Sequence, residues 1–166
     1  MTKKTMKNSP ESITSLALMS ETMTGRSGFL LAKAAQRVRD MYDESLVPLS
    51  MNARHAGILT ILDEKGSLSQ NELGKCAYID RTTIVALIDD LEKLGLVERQ
   101  EHPKDRRSHV IYITEKGKEV LPLVLKKAKD VEKEFLAPLT APEQKNLIQL
   151  ARKLVFHHYL TPKETR

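Results

Sequence analysis

The feature that most constrains this chain is a change of period at Gly95. Upstream of it, Ile84, Leu87, Ile88, Leu91 and Leu94 recur every three or four positions, a spacing that lines one side of a helix. Downstream, Leu96-Val97-Glu98-Arg99 and His109-Val110-Ile111-Tyr112-Ile113 are short and rich in β-branched residues, which predicts two strands. Gly95 supplies the left-handed stop between the two regimes. Residues 100–108 are polar and charged and contain Pro103, so the strands are expected to form a hairpin with a long tip.

Two caps order what precedes. Ser69-Gln70-Asn71-Glu72 is a capping box, in which Ser69 and Glu72 satisfy each other's backbone N–H groups. It opens a short helix, expected to turn Leu73 and Cys76 inward and to end near Ala77-Tyr78. Asp80 caps the next, longer helix, with Ile79 and Ile84 placed for a hydrophobic staple. A short helix and a longer one joined by about three residues form a helix-turn-helix. N-terminal to this lies a helix over residues 29–46, stopped by Pro48. A second helix follows, with Ser50 as its expected cap and Ala53, Ala56, Ile58, Leu59 and Leu62 along it. C-terminal to the hairpin, Thr114 caps a long helix reaching to about residue 137, with Pro122 inside it. Thr140-Ala141-Pro142-Glu143 opens a final helix as a second capping box. Residues 1–12 read as a solvated tail, 13–23 as a short helix, and Gly25-Arg26-Ser27-Gly28 as a break.

The fold class that follows is mainly α with a small β-hairpin wing. Residues 50–114 form a winged helix-turn-helix lobe, residues 28–49 and 115–160 a helical dimerisation region, and residues 1–27 a flexible N-terminal extension. The terminal helices carry too much apolar surface to stand alone, which points to a homodimer.

Lys and Arg number 27 against 22 Asp and Glu, a formal charge of +5, which permits a nucleic-acid partner without requiring one. The single cysteine, Cys76, fits a reducing compartment and reads as a small buried residue rather than a redox sensor. No apolar run approaches the roughly 20 residues of a membrane span, so the chain is expected to be cytoplasmic, with no membrane partner. There is no nucleophile elbow, phosphate loop, Cys–His metal spacing or catalytic carboxylate pair. The expectation is a protein that is not an enzyme and uses no cofactor or metal.

The second helix of a helix-turn-helix puts its N-terminal residues into the major groove of double-stranded DNA. Here those are Arg81, Thr82 and Thr83: the arginine suits a guanine or a phosphate, and the threonines suit base edges and the thymine methyl. Ser69 and Gln70 start the preceding helix and are placed for the DNA backbone. Lys104, Arg106 and Arg107 cluster at the hairpin tip, where an arginine fits a narrow, electronegative minor groove. Asp105 is placed to brace a neighbouring guanidinium. Arg39 and Tyr42, one turn apart, together with His55 on the next helix, are candidates for holding a small ligand.

Asp80-Arg81-Thr82-Thr83, Leu91-Glu92-Lys93-Leu94-Gly95-Leu96-Val97-Glu98-Arg99, Pro103-Lys104-Asp105-Arg106-Arg107 and Ile113-Thr114-Glu115-Lys116-Gly117 together resemble the MarR family of transcription regulators. The motif-bearing part runs over residues 52–120. The resemblance implies a homodimer held by its terminal helices, reading a pseudopalindromic operator, more often as a repressor. It also implies release of DNA by a small anionic or phenolic ligand or by oxidation. The family's wing Asp-x-Arg pattern falls on Asp105 and Arg107, implying Arg107 as the minor-groove contact and Asp105 as its brace. The chain departs from the family where Val85 and Ala86 replace polar or basic residues and Asp90 and Leu94 replace basic ones. Four acids, Asp80, Asp89, Asp90 and Glu92, face two bases, Arg81 and Lys93, over residues 80–94. That local acidity keeps open an alternative: a winged-helix module that binds another protein.

Overall fold

The computed structural model describes residues 24–102 and 105–160. The tail over residues 1–12 and the helix expected over 13–23 lie outside the described residues. The chain forms two compact units, Met1–Asp40 and Met41–Arg166. A turn at Gly25 precedes α1, Ser27–Leu46, so the break expected over Gly25-Arg26-Ser27-Gly28 is confined to Gly25 and Arg26, and Ser27 and Gly28 open the helix. Within the first unit, Leu30 and Leu31 are exposed, while Ala34 and Val38 are half-buried.

Pro48 ends α1 in a short 3-10 turn, Val47–Leu49. Ser50 was the expected cap of the next helix and is not: it closes this turn in the left-handed region, φ 55, with its N–H on the Val47 carbonyl at 2.9 Å. The cap of α2, Ala53–Lys65, is Asn52. Its Oδ1 accepts the N–H groups of Arg54 at 3.0 Å and His55 at 3.1 Å. Asp43 Oδ1 accepts the Ala53 N–H at 2.6 Å, and His55 Nδ1 accepts the Asn52 N–H at 3.1 Å. The orphan donors of the helix start are thus satisfied from three directions.

Ser69 ends a two-residue strand β1, Leu68–Ser69, and caps α3, Gln70–Ala77. The helix stops at Tyr78 in a left-handed conformation, φ 52, with the Ile79 N–H returning to the Gly74 carbonyl at 2.9 Å. A Cβ at Gly74 would sit 3.1 Å from the Ile79 carbonyl oxygen, so this turn is tight enough to favour glycine. Helix α4, Arg81–Lys93, follows from its Asp80 cap. It ends at Gly95, φ 72, where the Leu96 N–H reaches the Leu91 carbonyl at 2.9 Å.

The wing consists of β2, Val97–His102, and β3, Asp105–Ile113, paired antiparallel from Val97↔Ile113 to His102↔Asp105. The strands run further than the sequence suggested, into the stretch expected as a long tip, with a register irregularity between Glu101 and His102. β1 joins the other edge of β3, Leu68↔Ile111, and gives a three-stranded sheet of order β1-β3-β2. A two-residue strand has no periodicity to detect, and the hairpin reading missed it.

Thr114 caps α5, Glu115–Phe135, and α6 spans Ala141–Leu160. At the start of α6 the Glu143 carboxylate accepts both the N–H of Thr140 at 2.8 Å and its hydroxyl at 2.7 Å. The core of the second unit gathers Leu46, Ile58, Leu59, Leu62, Leu73, Ile84, Ile88, Leu91, Val97, Ile111 and Val124, all fully buried. Each such side chain contributes about 1.5–3 kcal/mol of transfer free energy. Every helix from α2 to α5, together with the sheet, supplies at least one of them, and α4 is held on its inner side by three.

Candidate nucleic-acid interface

The N-terminus of α4 is held in an open, pre-formed state. Asp80 Oδ1 accepts the N–H groups of Thr82 and Thr83, each at 3.0 Å. The Thr83 hydroxyl, with these N–H groups, keeps the Asp80 carboxyl below the usual carboxylate range. Thr83 is therefore engaged with the cap rather than presented to solvent. Arg81 and Thr82 are exposed, and Arg81 makes no ion pair among the described residues. Exposed Val85 and Ala86 continue the stripe one turn on.

A surface cleft of about 760 Å³ lies between the starts of α3 and α4, lined among others by Gln70, Asn71, Lys75, Tyr78 and Arg81. Gln70 and Arg81 thus line one cleft. Ser69 sits behind them: its hydroxyl donates to Glu72 Oε2 at 2.7 Å and accepts the Glu72 N–H at 3.3 Å, so both of its roles are spent in the capping box. Lys75 and Tyr78 were missed by sequence reasoning. Tyr78 is 70% exposed at a left-handed turn position. An aromatic residue in a three-residue turn between two capped helices was the available signal.

The acids of α4 are accounted for one by one. Arg99 on β2 bridges Asp89 Oδ1 and Glu92 Oε2, the latter at 2.6 Å, and its backbone N–H donates to Glu92 Oε1 at 3.3 Å. Lys93 Nζ pairs with Asp90 Oδ1 at 3.1 Å. Asp80 is spent on the cap.

The far end of α4 is locked to the start of α5. The Thr114 hydroxyl donates to the Gly95 carbonyl at 2.8 Å and accepts the Gly117 N–H at 3.0 Å. Lys116 Nζ donates to the Leu94 carbonyl at 2.7 Å, where a cation is favoured by the exposed carbonyls of a helix C-terminus. A Cβ at Gly117 would lie 2.2 Å from the Leu96 carbonyl oxygen. The Thr-Glu-Lys-Gly segment is the latch that fixes the α4 terminus.

Asp105, Arg106 and Arg107 begin β3, and Lys104 lies outside the described residues. Of the residues considered for a small ligand, Arg39 is exposed in the first unit. In the second unit, Tyr42 donates its hydroxyl to the Val124 carbonyl at 3.2 Å, and burial pushes its pKa up. His55 is 6% exposed. Its Nδ1 belongs to the α2 cap, and its Nε2 has no hydrogen-bond partner, the Asp90 carboxylate standing 3.9 Å away. Burial lowers the His55 pKa against the opposing pull of Asp90 and Asp43. Both Tyr42 and His55 thus have main-chain partners of their own.

Cys76 was expected to face inward, and it is exposed. At about 100° per residue, the buried side of α3 is centred between Leu73, Gly74 and Ala77, which leaves Cys76 on the flank. Among the described residues, no group of three His, Cys, Asp or Glu side chains converges as a metal would need, and no helix is long and apolar enough to cross a membrane.

Residues 49–108, covering most of the helix-turn-helix and wing, match the model of the MarR family. The transcriptional repressor NicR of Pseudomonas putida is 28% identical over 80% of this chain and 84% of its own length. A probable transcriptional regulator from Pseudomonas aeruginosa shares the fold at TM-score 0.73 and 29% identity, covering 79% of this chain and 98% of that one. A cysteine-to-serine mutant of MarR from E. coli, complexed with operator DNA, matches at TM-score 0.70 and 26% identity over 77% of this chain and 92% of that one. The motifs, the winged lobe and these likenesses agree, and the chain belongs to the MarR family of DNA-binding transcriptional regulators.

Proposed function

We propose that the protein is a sequence-specific repressor that binds a pseudopalindromic duplex operator as a homodimer and releases it on binding a small anionic or phenolic effector. The observation that carries DNA reading is the contrast within α4. Its N-terminal turn offers a capped helix end with exposed Arg81 and Thr82, while the acids further along are paired with Arg99 and Lys93. In this reading Arg81 takes a guanine or a phosphate, and Thr82, Val85 and Ala86 lie against thymine methyls. Gln70, Lys75 and Tyr78 hold the adjacent backbone. Arg107, with Asp105 as its brace and Lys104 and Arg106 beside it, enters the flanking minor groove.

The dimer reading rests on α6, where Leu147, Ile148, Leu150, Leu154, Val155 and Phe156 are all exposed. Six exposed apolar side chains on one helix suit an association site. The dimerisation region over 28–49 and 115–160 and the reading lobe over 50–114 belong to this proposal. Repression is favoured by the likeness to NicR.

Selection of bound sequences from a random duplex pool tests the reading, with Arg81→Ala and Arg107→Ala alongside. A pseudopalindrome is expected, losing its inner positions in the first variant and its flanking preference in the second. No enriched sequence would overturn specific reading and favour the protein-binding alternative. For the effector, thermal stabilisation by an aromatic acid is expected and should be lost in Arg39→Ala. No stabilisation across a broad panel would remove it.

A further inference from the structure

We infer that Arg99 is a positioning residue for DNA binding, cancelling the charge of Asp89 and Glu92 and fixing the base of the wing against the reading helix. The inference rests on the DNA-binding reading above.

Val85, Asp89 and Glu92 stand at helical spacings of four and three residues, which puts them on one stripe of α4. Arg99 lies across that stripe from β2. One guanidinium nitrogen meets Glu92 Oε2 at 2.6 Å, the other meets Asp89 Oδ1 and reaches the Val85 carbonyl at 3.5 Å. Its side chain is 20% exposed, against 44% for Asp89 and 39% for Glu92. The arginine is therefore inside the contact and the carboxylates are at its more exposed rim. Arg99 and Val97 are two apart on β2, and Val97 is fully buried, so the strand is anchored at two successive positions on the same side. A planar, forked cation can hold two carboxylates at once, which an ammonium cannot do with the same geometry.

Without Arg99 the stripe carries two unpaired negative charges beside the reading surface, and the wing loses its polar tie to α4. The first effect is electrostatic and non-specific in sequence; the second concerns geometry. They separate experimentally, because neutralising the acids repairs the first alone.

The probe is a mixed-sequence duplex of about 30 base pairs, long enough for two half-sites, titrated at low and moderate salt with circular dichroism confirming the fold. Arg99→Ala should weaken binding about fivefold through the unmasked charge. Adding Asp89→Asn and Glu92→Gln to that variant should recover affinity in part, and the shortfall from wild type reports the lost tie between the wing and α4. The Asp89→Asn/Glu92→Gln protein with Arg99 intact should bind more tightly than wild type, and it keeps the test open if Arg99→Ala fails to fold. Equal binding by wild type and folded Arg99→Ala, or no recovery in the triple variant, would overturn the masking role. If the intact protein binds no duplex even at low salt, the DNA-binding reading itself falls, and this inference with it.

Discussion

The winged lobe and α6 use similar apolar residues to opposite ends. In the lobe, Leu59, Leu73, Ile88 and Ile111 come from four different elements and leave each other no solvent contact. On α6, Leu147, Ile148, Leu150, Leu154, Val155 and Phe156 recur at helical spacing yet stay exposed. The first set is completed within one chain; the second is left open by it, and in the proposed dimer a second copy covers it. A hydrophobic period therefore identifies a helix side that wants burial, without saying whether the burial comes from the same chain.

That contrast can be broken in four places. The largest effect is expected from charging α6. Leu150→Glu with Leu154→Glu should give a folded monomer by sedimentation and reduce affinity for a two-half-site duplex about 100-fold, since each lobe then binds without the other. Retention of the dimer would show that α6 is not the partner-covered surface. Next, Ile88→Ala removes the inner anchor of α4 and should lower unfolding free energy by about 3 kcal/mol in urea titration. The same truncation at exposed Leu150 should change monomer stability by only about 0.5 kcal/mol or less.

Gly117→Ala tests the latch between α4 and α5. The added methyl meets the Leu96 carbonyl and the Ile113 side chain, and accommodating it should cost about 2 kcal/mol, seen as a lower thermal midpoint. An unchanged midpoint would mean that the latch is slack.

The smallest effect concerns His55. Its folded pKa is held below the ordinary 6.5, chiefly by burial. The unfolded chain thus takes up the proton first as pH falls. The contribution of the neutral ring is fully present above pH 6.5 and is lost as pH falls through the folded pKa, below which it changes no further. His55→Gln keeps an acceptor for the Asn52 N–H and removes the titration. The loss of stability between about pH 7.5 and pH 5.5 should therefore be smaller in the variant than in the native protein. An equal loss would assign the acid sensitivity to carboxylates instead.

The parts legible in the sequence are those written in local interactions. The Ser69–Glu72 box, the Asp80 and Thr114 caps and the Gly95 stop each depend on residues within a few positions of one another, and each stands where the pattern put it. The cap of α2 was misplaced because Ser50 and Asn52 are both good capping residues. The choice fell to Asn52 once Asp43 and His55 supplied the remaining acceptors. Cys76 was turned the wrong way because a short helix allows two rotations, and only the packing of Gly74 against Ile79 and Ile84 selects one.

The sequence by itself determined the order of the described helices and the two wing strands, the capped start of α4 and the family, since spacing and caps act over one or two helical turns. Only the tertiary structure decided what became of the acids on α4. Asp89 and Glu92 meet Arg99 from a strand that no helical period connects to them. Opposite charges distant in the chain neutralise each other only when the fold brings them within hydrogen-bond reach, and until then a paired acid and an open one read alike.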